Sequence, residues 1–90
     1  MNKIISSASA GTLESSDVYI EVEPSENNEV TVESVVLKQF GDSIVKTAES
    51  VLDELNVKNA KVHIIDKGAL DCVIRARLET ALRRAEKENK

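Results

Sequence analysis

Val18, Ile20 and Val22 alternate with Tyr19, Glu21 and Glu23. Period two places successive side chains on opposite faces of a strand, so this segment is predicted to be a strand with one buried face. The run Pro24-Ser25-Glu26-Asn27-Asn28 favours turn dihedrals, and a second strand is expected near Val30 and Val32, extending towards Val35. The connection is short enough to predict an antiparallel hairpin between the two. From about Gln39 to Leu55 the spacing becomes helical. Phe40, Ile44, Val45, Ala48, Val51, Leu52 and Leu55 fall on one stripe, with Asp42 near the start and Asn56 as the stop. Ala60 to Ile65 gives a third strand, with Val62 and Ile64 on one face and His63 pointing the other way. Asp66-Lys67-Gly68 is a turn. A last helix is expected from about Ala69 to Ala85, burying Leu70, Val73, Ile74, Leu78, Ala81, Leu82 and Ala85.

The expected fold is α+β: a small three-stranded sheet with two helices on one face, in the order β-β-α-β-α, as a single domain. Residues 1–17 show no sustained apolar period and are rich in Ser, Ala and Gly, which predicts a mobile arm ahead of a globular core at 18–85. The helix pairs Asp71 with Arg75 and Glu79 with Arg83 are spaced for ion pairing across one turn.

With 90 residues the chain has room for one modest core and little for a deep private pocket. Binding or carrying suits such a chain better than catalysis alone. Residues 1–45 hold two lysines against eight carboxylates, net −6, and residues 46–90 hold ten Lys/Arg against eight carboxylates, net +2. An acidic front and a mildly basic tail favour docking on charged partner surfaces. The chain lacks a strong basic stripe, and Tyr19 and Phe40 are its only aromatic residues, which argues against nucleic acid as a ligand. One cysteine and one histidine make neither a disulfide nor a convincing metal set. No apolar run is long enough to span a membrane, and Ile4-Ile5 is too short for a signal-peptide core, so a cytoplasmic location is expected.

Few residues suggest chemistry by themselves. Cys72, early in the last helix, could gain thiolate character from the helix dipole, but a small buried hydrophobe is the better reading. His63 reads as an ordinary strand histidine. Arg75, Arg77, Arg83 and Arg84 suit phosphate or carboxylate partners, or else line a solvated face. Ser15 and Ser16, in Leu13-Glu14-Ser15-Ser16-Asp17, are ordinary loop serines by physics alone. Gly41-Asp42-Ser43-Ile44 is similar to the Asp-Ser-Leu site at which four-helix acyl carrier proteins receive phosphopantetheine, but the strands before it do not fit that fold.

Three stretches, taken in order and spacing, carry a resemblance. They are Ala10-Gly11-Thr12-Leu13-Glu14-Ser15-Ser16-Asp17, Leu37-Lys38-Gln39-Phe40-Gly41-Asp42, and the most specific, Asp66-Lys67-Gly68-Ala69-Leu70-Asp71-Cys72-Val73-Ile74-Arg75-Ala76-Arg77-Leu78-Glu79. Over nearly its full length the chain resembles the acyl carrier proteins (gamma subunits) of citrate lyase. The resemblance implies a non-catalytic carrier with a phosphoribosyl-dephospho-CoA group on a serine through a phosphodiester. The matching serine is Ser15, with Ser16 and Ser43 as runners-up. It further implies a prosthetic-group transferase, an alpha subunit that exchanges acetyl for citrate on the arm's thiol, and a beta subunit that cleaves the citryl thioester to oxaloacetate and the acetyl thioester. Arg75 and Arg77, in the most specific stretch, are expected to meet these partners or the arm's phosphates. The alternative is an α+β interaction module without a cofactor.

Overall fold

The computed structural model describes residues 3–35 and 37–87, and of residues 37–40 only the backbone. Six elements follow one another: β1 (Ala8–Gly11), β2 (Val18–Pro24), β3 (Glu29–Ser34), α1 (Leu37–Glu54), β4 (Ala60–Asp66) and α2 (Asp71–Ala85). The strands form one sheet in the order β1-β2-β4-β3. The first two contacts are antiparallel, and β3 runs parallel to β4.

The alternating segments become strands because they bury one side. Val18, Ile20 and Val22 on β2 and Val62 and Ile64 on β4 are at most 2% exposed. Ile20 lies opposite Ile64 and Val22 opposite Val62, so the inward residues form one apolar row. Over it α2 packs on β1 and β2, and α1 packs on β3 and on α2. Ile44, Ala48, Val51 and Leu52 from α1 meet Ile74, Leu78, Ala81, Leu82 and Ala85 from α2 in the same core. Each buried Leu, Ile or Val contributes roughly 1.5–3 kcal/mol.

The α+β architecture and both helices agree with expectation, but the sheet has four strands rather than three. The additional strand, β1, comes from the stretch expected as an arm. Its inward residues are Ala8 and Ala10, too small to mark an apolar period. Ahead of it, Ile4 is 1% exposed, and its amide and carbonyl bond to the Asn59 side chain at 3.2 and 2.9 Å. The expected β2–β3 hairpin does not form either, because β4 lies between them. Asn28 holds the connection across the start of β4: its amide nitrogen donates to the Val57 carbonyl at 2.7 Å and its side-chain oxygen accepts from Ala60 N–H at 2.9 Å.

The helix ends also differ in detail. The first turn of α1 contains no acidic residue, so Asp42 lies beyond the reach expected of it. Asn56 does stop α1, at φ 56°. Val57 N–H bonds to the Leu52 carbonyl and Asn56 N–H to that of Asp53, the pattern of a left-handed helix cap. Leu70 precedes α2 and is 72% exposed, so it is not part of the buried stripe. Phe40, expected on the α1 stripe, lies outside the described side chains.

Candidate functional site

The loop between β1 and β2 contains Ser15 and Ser16, and its shape follows from its two ends. At one end Gly11 has φ +93° and lies against the Val18 carbonyl, to which Thr12 N–H donates at 3.2 Å. At the other end Asp17 accepts from three sides. The Thr12 hydroxyl donates to its Oδ2 at 2.6 Å, Val18 N–H to its Oδ1 at 2.7 Å, and the Arg77 fork to both oxygens at 3.0 and 3.2 Å. The Thr12 hydroxyl and the Val18 amide, with a smaller contribution from the Arg77 guanidinium, hold the Asp17 carboxyl at about 2, below its ordinary 3.8, against the opposing effect of desolvation. The carboxylate is therefore charged throughout the neutral range.

A second brace joins the loop to the turn between β4 and α2. Ser16 N–H donates to the Lys67 carbonyl at 2.8 Å, and Lys67 N–H donates to the Asp17 carbonyl at 2.9 Å. The turn is itself fixed by Asp66, 2% exposed, which accepts from Ser34 Oγ at 2.8 Å and Ala69 N–H at 2.9 Å. Ser16 has φ 64°, so its backbone is committed to the turn. Ser15 is left exposed, and its hydroxyl has no hydrogen-bond partner among the described residues. The arrangement presents a small primary alcohol on a backbone pinned at both ends.

The other expected residues lie elsewhere. Ser43 is exposed inside α1 rather than at its start, and borders a hollow of about 420 Å³ with Asp66, Gly68 and Leu70. Arg75 pairs with Glu54 of α1 rather than with Asp71, whereas Arg83 pairs with Glu79 at 2.8 Å as its spacing predicts. Arg77 meets the serine loop through Asp17. Cys72 is exposed, contrary to its reading as a buried hydrophobe, because the helix turns it away from the Ile74–Leu78 stripe. His63 lies on the uncovered sheet face between Thr31 and Glu33. The sequence alone assigns Asp17 no role, and its signals there are its position immediately before a strand and its place at the end of the first resembling stretch. Among the described residues, no cluster of His, Cys, Asp or Glu could hold a metal ion, and no helix is long and apolar enough to cross a membrane.

The chain matches the family model described as "Malonate decarboxylase delta subunit (MdcD)" over residues 5–85. It is 58% identical over 78 residues to the citrate lyase acyl carrier protein of Treponema denticola, covering 87% of this chain and 90% of the relative. It is 54% identical over 85 residues to the protein of that name from Serratia proteamaculans, covering 92% and 83%. Among solved structures, a chain of a Pseudomonas malonate decarboxylase hetero-tetramer in complex with malonate shares the fold. The TM-score is 0.77 at 22% identity, covering 91% of this chain and 86% of that one.

Proposed function

Since the chain belongs to the family of the citrate lyase acyl carrier proteins, we propose that it is the acyl carrier subunit of a citrate lyase, with its arm on Ser15. The observation that supports the site is the exposed Ser15 hydroxyl on a loop braced by Asp17, Arg77 and Lys67. An arm tethered by one phosphodiester needs an accessible alcohol and no enclosing pocket, and the residues present fit that requirement. The proposed group is phosphoribosyl-dephospho-CoA. When attached, it supplies a terminal thiol on which acetyl and citryl groups travel as thioesters.

The chain's own part is to hold and present. Ser15 Oγ provides the attachment point, and the pinned backbone keeps it facing outward towards a prosthetic-group transferase. Arg77 spends two N–H donors on Asp17 and has others for a phosphodiester next to the loop. Arg75, tied to Glu54 on the exposed helix layer, is proposed to meet the partner subunits. Tethering raises the local concentration of the acyl group at two successive active sites, in the alpha and beta subunits. Under this reading the carrier supplies no acid, base or metal, and it works in the cytoplasm with those subunits. The intact mass of the carrier, purified from a cell that makes the arm, should exceed the sequence mass by that group. The bare sequence mass from such a cell would defeat the proposal.

Arg77 gives a second expected result. Arg77→Ala should slow loading of Ser15 by the transferase roughly tenfold while moving Tm by less than about 5 °C, because the pair is partly exposed. Arg77→Lys keeps the charge but loses the two-pronged fit, so it should recover only part of the rate. Loading of Arg77→Ala at the unaltered rate would show that the brace is not needed. The depressed carboxyl of Asp17 stabilises the loop above its ordinary 3.8, and this contribution disappears as pH falls towards about 2. Loading should therefore show no pH dependence from Asp17 in the neutral range.

A further inference from the structure

Two helices cover one face of the sheet and leave the other open. The open face carries Ser9 on β1, Tyr19, Glu21 and Glu23 on β2, Lys61, His63 and Ile65 on β4, and Glu29, Thr31 and Glu33 on β3. Four carboxylates stand there against one lysine and one histidine. Lys61 pairs with Glu23 at 3.8 Å, and His63 Nε2 meets Glu33 at 2.7 Å. Glu21 and Glu29 have no ion pair among the described residues. Glu21 sits at the centre, opposite Ser9 on one side and His63 on the other, and lines a hollow of about 580 Å³ with Tyr19, Glu23 and Lys61.

We infer that this open face is a second docking surface, separate from the helix layer that holds Arg75, and that it meets an arginine-bearing basic patch of a catalytic subunit, an inference that rests on the carrier reading above. An arginine entering the hollow could pair with Glu21 and lie against the Tyr19 ring, which combines charge with cation–π contact. A second copy of the chain would bring the same negative face and be repelled, as would nucleic acid or an anionic lipid surface. The placement also suits the cargo. The loop carrying Ser15 leaves the sheet at the Gly11–Tyr19 pair, so a partner seated on the open face lies beside the attachment point. An interface built mainly on charge associates quickly without locking, which fits a carrier that must leave one active site for another.

The test measures the Kd of the full-length carrier for citrate lyase catalytic subunits by titration calorimetry at low and high salt. Glu21→Lys with Glu29→Lys should weaken binding roughly tenfold, and raising salt should weaken the unaltered carrier comparably. Asp42→Lys with Glu49→Lys, reversing two exposed charges on α1 that are not part of the Arg75–Glu54 pair, should bind as the unaltered carrier does. Should the lysine variant fold poorly, Glu21→Gln with Glu29→Gln should still lose roughly threefold. Affinity unchanged in the folded sheet variants, or lost equally in the α1 variant, would overturn the surface while leaving the carrier reading intact. An unaltered carrier that does not bind these subunits at any salt would overturn the carrier reading itself, and the surface with it.

Discussion

Ser15→Ala is expected to give a folded protein that never acquires an arm. Loading needs one nucleophilic oxygen to form the phosphodiester, and removing it leaves nothing to accept the arm, so the loss should be complete. The fold should not notice, because the Ser15 side chain is exposed and bonds to no described residue. Such a surface change moves stability by no more than about 0.5 kcal/mol. Trypsin gives a clean readout. No Lys or Arg lies between Lys3 and Lys38, so Ser15 and Ser16 fall in the peptide Ile4–Lys38, while Ser43 falls in Gln39–Lys46. The adduct should sit on the longer peptide, with fragmentation placing it on Ser15. Ser16→Gly keeps the φ of 64° that the turn requires and should load normally, as should Ser43→Ala. An adduct on Gln39–Lys46 would defeat the assignment. An adduct that persists in Ser15→Ala and vanishes in Ser16→Gly would shift the site by one residue.

The parts of this fold legible in the sequence are those where burial is written in large side chains. Val18, Ile20 and Val22 announce β2, and Ile74, Leu78 and Leu82 announce the buried stripe of α2, because each inward position is apolar and each period is regular. β1 obeys the same rule in a smaller vocabulary. Ala8 and Ala10 face in, Ser9 and Gly11 face out, and α2 approaches closely enough that nothing larger is needed. Strand order was hidden for a different reason. Pro24 to Asn28 marks a turn, but a turn signal does not say which strand will lie between the two it joins. The Asn28 bonds to Val57 and Ala60, which decide it, connect residues far apart in sequence. The serine loop was legible only as a resemblance. Its brace depends on Asp17 meeting Arg77, sixty residues away, and on a backbone pair with Lys67. Leu70 is exposed because α2 begins after it, at Asp71, and Cys72 is exposed because two residues turn it about 200° round the helix from Ile74.

Gly11→Ala is expected to be among the most damaging single changes outside the core. Gly11 and Gly68 share a φ of +93°, a conformation that strains any residue with a Cβ. Their surroundings differ. A Cβ on Gly68 meets nothing within 4 Å, whereas one on Gly11 would fall 1.8 Å from the Val18 carbonyl oxygen and 2.9 Å from its carbon. Those atoms are backbone, so no side-chain rotation relieves the overlap, and the strands must separate. Gly68→Ala should therefore cost about 1 kcal/mol from conformation alone. Gly11→Ala should cost about 3 kcal/mol or more, the contact adding to the same strain. Thermal unfolding of the two variants side by side isolates the contact, because the backbone penalty is common to both. Separation at Gly11 would also release Thr12 N–H from the Val18 carbonyl and move Thr12 away from Asp17, which breaks the first brace of the serine loop. Loading of Ser15 should consequently fall in Gly11→Ala even below its melting temperature, and stay near normal in Gly68→Ala. Equal melting temperatures for the two variants would mean that β1 is held more loosely against β2 than this geometry requires.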